Sequence, residues 1–307
     1  MENNDEIRLG RRVTWVGFWA NTMLAILKTA AGIIGRSGAM VADGIHSVSD
    51  LATDVAVIFV IGASRKRADC DHAYGHGKIE TLVTFIIAIV LGFVGLAIMA
   101  DGAARVIGSI RGEVLDRPGS IALIMAIVSI LVKEILFRYT RAVASRIDSP
   151  SMLANAWHHR SDALSSIATL LGIAGAMFLS EQWRILDPIA AIFVSVLIVV
   201  MAYKIGKPVV SELLETSLPA DELDRIRTII STTPGVKDFH HLRTRRNGRL
   251  RIVDFHIKLD PSLSLTDAHD IATEVENRLR AALAPVQTTI HIEPYPVSYT
   301  QNRAHEP

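Results

Sequence analysis

The feature that most constrains this chain is a series of six apolar stretches, each about long enough to cross the hydrocarbon core of a bilayer as a helix. They cover roughly residues 13–34, 39–63, 80–107, 119–137, 152–179 and 187–206. The third contains no charged residue from Thr81 to Ala100, and hydrophobic residues make up 50% of the 307-residue chain. The pattern predicts an all-α, six-helix transmembrane bundle.

The basic residues between these stretches alternate in density, which bears on orientation. Most of them lie before the first stretch, after the second, after the fourth and at the end of the sixth: Arg8, Arg11, Arg12; Arg65, Lys66, Arg67, Lys78; Arg138, Arg141, Arg146; Lys204, Lys207. The opposite loops hold Arg36, then Arg111 and Arg117, then Arg184. By the positive-inside rule, both termini are predicted to be cytoplasmic, with a bacterial inner membrane as the default location.

After Pro208, which predicts the end of the last span, the composition becomes that of a small soluble domain. Its predicted elements are helix Asp221–Thr233, strands Val236–Arg246 and Arg249–Asp260 joined at Asn247-Gly248, helix Thr266–Leu283 with Thr266 as N-cap, and strand Gln287–Glu293. This order gives an open-faced α+β (α-β-β-α-β) sandwich. The predicted domains are an N-terminal tail over 1–12, the transmembrane domain over 13–207, the soluble domain over 208–296 and a tail over 297–307.

Two copies of a His-x-x-x-Asp pattern lie in the second and fifth stretches, as His46 with Asp50 and His158 with Asp162. Residues four apart share one face of a helix. An ionisable group at the bilayer centre costs about 3 kcal/mol even on lenient scales, so four together need a partner. Two imidazoles and two carboxylates suit zinc, which predicts a transport site. The alternative to a metal site is that each His/Asp pair forms an internal hydrogen bond or lines a water-filled pocket without binding metal.

The sequence does not fix the roles of three further residues near this quartet. Asp43 and Asp54 extend the same helix stripe, either as relay carboxylates or as helix-end residues. His159 lies about a third of a turn off the stripe. We take His158 as the ligand because its offset from Asp162 copies that of His46 from Asp50.

A second cluster, Asp69, His72 and His76, lies in the loop after the second stretch, where glycines permit a tight turn. Cys70 and Asp71 are substitute ligands. Cys70 is the only cysteine, which excludes an intramolecular disulfide and a thiolate cage. A polar loop that merely contains histidines is the alternative.

Five of the 11 histidines lie in the soluble domain: His240, His241, His256, His269 and His291. His240, His256 and His291 fall on the three predicted strands, and Glu293 shares the face of His291 because it is two residues further on. The arrangement indicates a cytosolic metal site. Solvated strand histidines are the alternative.

With these motifs in view, the chain resembles the cation diffusion facilitators, the zinc-efflux family of membrane metal/proton antiporters, from Arg12 to Pro294. The matching pieces are Asp43-Gly-Ile-His46-Ser-Val-Ser-Asp50, Asp71-His72-Ala-Tyr-Gly75-His76-Gly77-Lys78-Ile-Glu80, His158-His-Arg-Ser-Asp162, His240-His-Leu-Arg-Thr-Arg and Ile290-His291-Ile-Glu293-Pro294. The resemblance implies a homodimer with six spans per subunit and a metallochaperone-like cytoplasmic domain that dimerises.

The resemblance also implies the ligand sets. They are His46, Asp50, His158 and Asp162 for transport, Asp69, His72 and His76 in the loop, and His240, His256, His269, His291 and Glu293 in the cytoplasmic domain. It further implies a structural ion pair between Lys78 and Glu215, for which an ordinary surface pair worth under about 1 kcal/mol is the alternative. Several family members have aspartate at the position of His46, and the imidazole here favours zinc. Some relatives have aspartate at the position of Glu293.

The function expected is export of Zn²⁺ from the cytosol by alternating access, with protons as counter-ion. Cd²⁺, Fe²⁺, Co²⁺ and Mn²⁺ are alternative cargoes, and a non-transporting metal-responsive scaffold or sensor is the alternative function. An enzyme is not expected, because a metal hydrolase needs an open coordination position and all four candidates are used as ligands. The formal net charge is only +1, so no strong overall attraction to nucleic acid is expected.

Overall fold

The structure is a computed structural model that describes residues 2–64, 66, 68–146 and 149–296, without the side chains of 2–11, 52–64, 150, 151 and 154. Its helices are α1 Glu2–Ile34, α2 Gly38–Ser64, α3 Lys78–Ile110, α4 Ser120–Arg146, α5 Pro150–Phe178, a 3₁₀ turn Glu181–Ile185, α6 Leu186–Leu213, α7 Ala220–Ser231 and α8 Leu265–Leu283. Its strands are β1 Asp238–Asn247, β2 Leu250–Leu259 and β3 Val286–Pro294. The chain forms two compact units. The first runs to Ile58 and resumes over Thr84–Gly206, and the second holds Phe59–Val83 and the chain from Lys207.

The first unit is built from long apolar helices. Among the described residues, the segments long and apolar enough to cross a membrane are Arg12–Ile34, Lys78–Ile110, Ser120–Arg146, Asn155–Phe178 and Glu181–Leu213. The predicted span over 39–63 forms α2, and the side chains of its second half lie outside the described residues. Large apolar side chains such as Trp19, Phe93 and Leu171 point outward, as lipid-facing residues do. The predicted helical membrane domain is confirmed.

Close helix contacts position the polar residues inside this unit. A Cβ on Gly44 of α2 would lie 2.6 Å from Thr29 Oγ1 of α1, so only glycine permits this approach. The crossing brings Lys28 of α1 next to Asp43 of α2. Helix α4 packs along both α5 and α1, which places Lys133 of α4 between residues of those two helices.

Two predicted helix boundaries are wrong. Pro208 lies inside α6, which continues to Leu213, because a proline removes only one backbone donor and a helix can pass through it with a kink. The N-cap of α8 is Ser264 rather than Thr266: Ser264 Oγ accepts a hydrogen bond from the backbone N–H of Asp267. Helix α1 begins at Glu2, upstream of the first predicted span.

The second unit contains a three-stranded sheet in the order β1-β2-β3, with β1 antiparallel and β3 parallel to β2. Val253, Phe255 and Ile257 of β2 are buried in the core that β2 forms with α7 and α8. The residues between them, including His256, therefore lie on the opposite face. The predicted α-β-β-α-β order is confirmed, and the hairpin turns at Gly248, whose φ of +58° suits glycine.

The pairing register aligns the histidines of the sheet. His240 is paired with His256 across the antiparallel ladder, and His256 with His291 across the parallel one. A β-bulge follows His240, with His241 at φ +51°. Because directly paired residues share a face, three imidazoles form a row across the sheet.

Candidate metal centres

The first cluster lies inside the helical unit. His46 and Asp50 of α2 and Asp162 of α5 each present a ligand atom within 4.8 Å of the others. Both carboxylates are buried, while His46 is half-buried. His46 and Asp50 are one helical turn apart, so both project from the same face of α2. The spacing on α2 and the packing of α5 against it therefore bring together three of the four residues predicted for transport.

The fourth predicted residue, His158, borders this group. Its Nδ1 is 3.7 Å from Asp162 Oδ1, and 47% of its side chain is exposed. The neighbouring His159 is 2% exposed. Its Nε2 would lie 3.6 Å from a Cβ on Gly17, so the ring faces α1. Of the two adjacent histidines, His158 is thus the one beside a carboxylate of the quartet.

Several polar atoms of the cluster are buried and accept or donate no hydrogen bond to the residues that the structure describes. Within the described part of the chain, no hydrogen bond reaches His46 Nδ1 or either carboxylate oxygen of Asp50. A buried carboxylate that is left unpaired carries the full cost of its lost hydration. These atoms are suitable ligands for a cation, since a metal ion could coordinate an imidazole nitrogen and carboxylate oxygens together.

Two buried lysines accompany the cluster, and both were missed from the sequence. Lys133 Nζ donates to Asp162 Oδ2 at 2.7 Å and to Asn21 Oδ1 at 3.0 Å. Lys28 Nζ lies 2.8 Å from Asp43 Oδ2. Each lysine is only 1% exposed. The available signal was a single lysine in the middle of an apolar stretch, where an unpaired ammonium is not tolerated.

The ion pair with Lys28 gives Asp43 a definite environment. Its carboxylate also accepts hydrogen bonds from Ser165 and Ser166 of α5. It lies inside the bundle at 0% exposure rather than at a helix end. The side chain of Asp54, the other residue of that stripe, lies outside the described residues.

The loop cluster belongs to the second unit. Asp69, His72 and His76 present ligand atoms within 4.8 Å of one another. The backbone N–H of Asp69 donates to the carbonyl of His72, and the turn passes through Gly75 at φ +79°. Nδ1 of the buried His76 has no hydrogen-bond partner among the described residues. The glycine-containing turn therefore brings the three predicted residues together. Of the two substitutes, Cys70 is a free, exposed thiol.

Electrostatics keep the loop carboxylate ionised. A hydrogen bond from the Lys66 ammonium, assisted by the backbone N–H of His72, holds the pKa of Asp69 well below its usual range. The imidazole of His72 also lies 3.3 Å from the same carboxylate. A carboxylate that stays charged at neutral pH retains its capacity to bind a cation.

A set of contacts connects this loop segment, the end of α6 and the β1–β2 hairpin. Lys78 Nζ is 3.2 Å from Glu215 Oε1, as the resemblance implied. Glu212, which the sequence did not indicate, accepts hydrogen bonds from Thr81 Oγ1 and from the backbone N–H of Gly248, each at 2.7 Å. The hairpin tip is thereby tied to the first turn of α3.

The third cluster lies on the open face of the sheet. His240, His256 and Glu293 present ligand atoms within 4.8 Å of one another. Glu293 Oε1 is 2.8 Å from His256 Nδ1, and its Oε2 is 3.4 Å from His240 Nε2. His291 borders the group, with its ring centroid 4.6 Å from that of His256. His269 is exposed on α8 and is not one of the three grouped residues.

The charges of this cluster suit metal binding. Burial lowers the pKa of His240, against the opposing charge of Glu293, which favours the neutral form of the ring. Burial raises the pKa of Glu293, but the hydrogen bond with His256 and the neighbouring imidazoles outweigh it and bring the pKa below its ordinary value. A neutral imidazole and an ionised carboxylate are the ligand forms. The bulge residue His241, which we did not select, places its ring centroid 5.1 Å from that of His256.

Membrane-spanning helices and a buried group of metal-ligating side chains together are typical of a membrane transporter of metal ions. The chain belongs to the cation efflux family, the cation diffusion facilitators: the family profile "Cation efflux transmembrane domain" matches residues 14–214, and "Cation efflux protein, cytoplasmic domain" matches residues 218–295. It is accordingly a divalent cation efflux transporter and not an enzyme.

Relatives match along most of the chain. The "Manganese efflux system protein MneP" of Bacillus subtilis is 32% identical over 94% of this chain and 97% of its own length. "Metal tolerance protein C1" of Arabidopsis thaliana is 35% identical over 93% of this chain and 62% of its own. "Magnetosome protein MamB" of a Magnetospira species is 30% identical, with 93% and 94% covered.

Proposed function

We propose that this protein is a divalent metal/proton antiporter that exports Zn²⁺ from the cytosol, with His46, Asp50, His158 and Asp162 as its transport site. The observation that carries the proposal is the buried carboxylate of Asp50, which has no hydrogen-bond partner among the described residues and lies beside His46 and Asp162. A cation at this point would compensate charges that otherwise lack hydration. Alternating exposure of the site to the two sides of the membrane then moves the metal.

Proton coupling follows from the ligand chemistry. An imidazole must be neutral to bind a metal, so protons and metal compete for His46 and His158. Protons that bind from the outer side therefore help to release the metal there. The protonated, metal-free site then reopens toward the cytosol, where the protons dissociate.

The choice of cargo is the finer part of the proposal. Two imidazole nitrogens and two carboxylate oxygens suit tetrahedral zinc, whereas manganese prefers more oxygen ligands. A relative of 32% identity is named a manganese efflux protein, which makes Mn²⁺ the first competitor to test, beside Fe²⁺, Co²⁺ and Cd²⁺.

The remaining assignments complete the proposal. The transporter works as a homodimer in a bacterial inner membrane, with both termini in the cytosol, a transmembrane domain over 13–207 and a cytoplasmic domain over 208–296. The loop and sheet clusters bind regulatory metal, with His269 reaching a site only in a different arrangement of the cytoplasmic domains. Occupancy of the sheet cluster couples to transport through the dimer.

Transport by the purified protein in liposomes tests this function. Vesicles carrying a pH gradient receive Zn²⁺, Mn²⁺, Fe²⁺ or Cd²⁺ separately, while metal uptake and proton movement are recorded together. We expect zinc-dependent proton counterflow, with a lower rate for manganese. A protein that binds zinc but moves neither metal nor protons would instead be a metal-responsive scaffold.

Replacing His256 with alanine is expected to weaken metal binding at the sheet cluster by about 100-fold, because this ring lies between His240, His291 and Glu293. Zinc titration of the full-length protein in detergent measures this, in a background of Asp50→Ala and His76→Ala that removes ligands from the other clusters. Glu274→Ala, which removes an exposed carboxylate of α8 that pairs with Arg278, is the control expected to leave the affinity unchanged. Unchanged affinity in His256→Ala would remove the sheet cluster from the proposal.

A further inference from the structure

The transport cluster already contains a cation that belongs to the protein. The Lys133 ammonium lies 2.7 Å from Asp162 Oδ2 and is 1% exposed, so it takes the position of a cation at this carboxylate. The other carboxylate, Asp50, has no hydrogen-bond partner among the described residues. The two acidic ligands therefore differ: Asp162 is paired with a buried lysine, whereas Asp50 has no hydrogen bond to the described residues.

We propose that Lys133 is a built-in competitor that a metal ion must displace from Asp162, and that it sets the affinity of the transport site. This inference rests on the proposed function of the quartet. With both carboxylates charged, the group of Asp50, Asp162 and Lys133 carries a net charge of −1. A divalent ion changes this to +1, whereas it would give 0 if the lysine were absent. Because like charges repel strongly where water is excluded, Lys133 weakens metal binding.

The structure also provides a place for the displaced ammonium. Nζ of Lys133 donates to the carboxamide oxygen of Asn21 on α1, at 3.0 Å. When a metal takes Asp162, the lysine keeps this neutral acceptor and needs only a small movement. Return of the ammonium to Asp162 then opposes rebinding of the metal. A site of two carboxylates and two imidazoles is in this way prevented from holding its cargo too tightly to release it.

The second buried lysine, Lys28, differs from Lys133 because it is paired with no candidate metal ligand among the described residues. Lys28 is held by Asp43, Ser47 and Ser166, and none of these is a candidate ligand. Its charge is balanced by its own carboxylate, so the pair is neutral with or without a metal in the quartet. Lys133 instead shares the carboxylate that the metal needs.

The test measures zinc affinity at the quartet in the full-length protein, in a background of His76→Ala and His256→Ala. Lys133→Met is expected to tighten zinc binding about tenfold or more, to lower the KM of transport in parallel, and to lower the maximal rate because release becomes slower. Lys133→Arg, which keeps the charge, should remain near the parent. Lys133→Gln, which keeps a donor for Asp162 without the charge, should follow Lys133→Met and replaces it if that variant does not fold.

A matched control removes a buried ion pair without changing net charge. Lys28→Met with Asp43→Asn should leave zinc affinity within about threefold of the parent, since the deleted pair is neutral. Unchanged or weaker zinc binding in both Lys133→Met and Lys133→Gln would overturn the proposal and leave Lys133 a purely structural residue. Failure of the proposed function has a different signature: zinc binding or transport in the parent background that Asp50→Ala does not affect.

Discussion

Replacing Asp50 with alanine is expected to abolish metal transport, with a loss of at least about 100-fold, while leaving the metal-free protein as stable as the parent or slightly more so. Removing a direct metal ligand is expected to reduce metal binding more than removing a residue that only hydrogen-bonds to a ligand, for which losses of about 10- to 100-fold are typical. Stability is retained because Asp50 makes no hydrogen bond to the described residues, so its removal relieves an unpaired buried charge. Flux in liposomes and thermal unfolding in detergent measure the two effects.

Asp162→Ala provides the contrast, because Asp162, unlike Asp50, forms a buried ion pair among the described residues. It should abolish transport equally, yet it leaves the Lys133 ammonium buried without its carboxylate, so the metal-free protein should be clearly less stable. Asp101→Ala, which removes an exposed carboxylate paired with Arg105 on α3, is the control expected to affect neither quantity strongly. Retained flux in both Asp50→Ala and Asp162→Ala would exclude the quartet as the transport site.

The second large effect concerns the ion pair between Lys28 and Asp43. Lys28→Met should lower the free energy of unfolding by about 3 to 5 kcal/mol, because it leaves a carboxylate that is 0% exposed without its counter-charge. The hydroxyls of Ser165 and Ser166 still donate to Asp43, but neutral donors do not replace an ammonium. The midpoint of denaturant-induced unfolding in mixed micelles gives the measurement.

Adding Asp43→Asn to Lys28→Met tests the cause. The carboxamide carries no charge and keeps an acceptor for the serine hydroxyls, so most of the lost stability should return. A double variant as unstable as the single one would mean that packing of the lysine stem, rather than charge, accounts for the loss.

The sequence predicted those groupings of side chains in the candidate sites that depend on regular spacing. A period of four on a helix brought His46 and Asp50 together, and the strand order brought His240, His256 and Glu293 together. These arrangements follow from backbone geometry alone, which is the same wherever a helix or a strand forms. The helical membrane domain and the α-β-β-α-β order followed from apolar patterning in the same way.

The lysine partners could not be predicted, because they depend on how helices pack. Lys133 reaches Asn21 of α1 and Asp162 of α5 only through the packing of α4 against both helices. The pair of Lys78 and Glu215 came from family resemblance, since 137 residues separate its members along the chain. The end of α6 was also predicted wrongly. Proline usually ends a helix, but α6 continues through Pro208 to Leu213.

The row of histidines across the sheet has a consequence for biogenesis. Its residues come from all three strands, and His291 and the cluster's carboxylate, Glu293, are on the final strand of the domain. The crossover through α8 must be complete before β3 can pair beside β2. A chain that stops short of β3, such as a nascent or truncated one, has the first two imidazoles but neither His291 nor the carboxylate. If metal regulates the transporter through this cluster, it cannot act on an unfinished copy, and the cell's metal supply engages only molecules whose synthesis has reached the end of the domain.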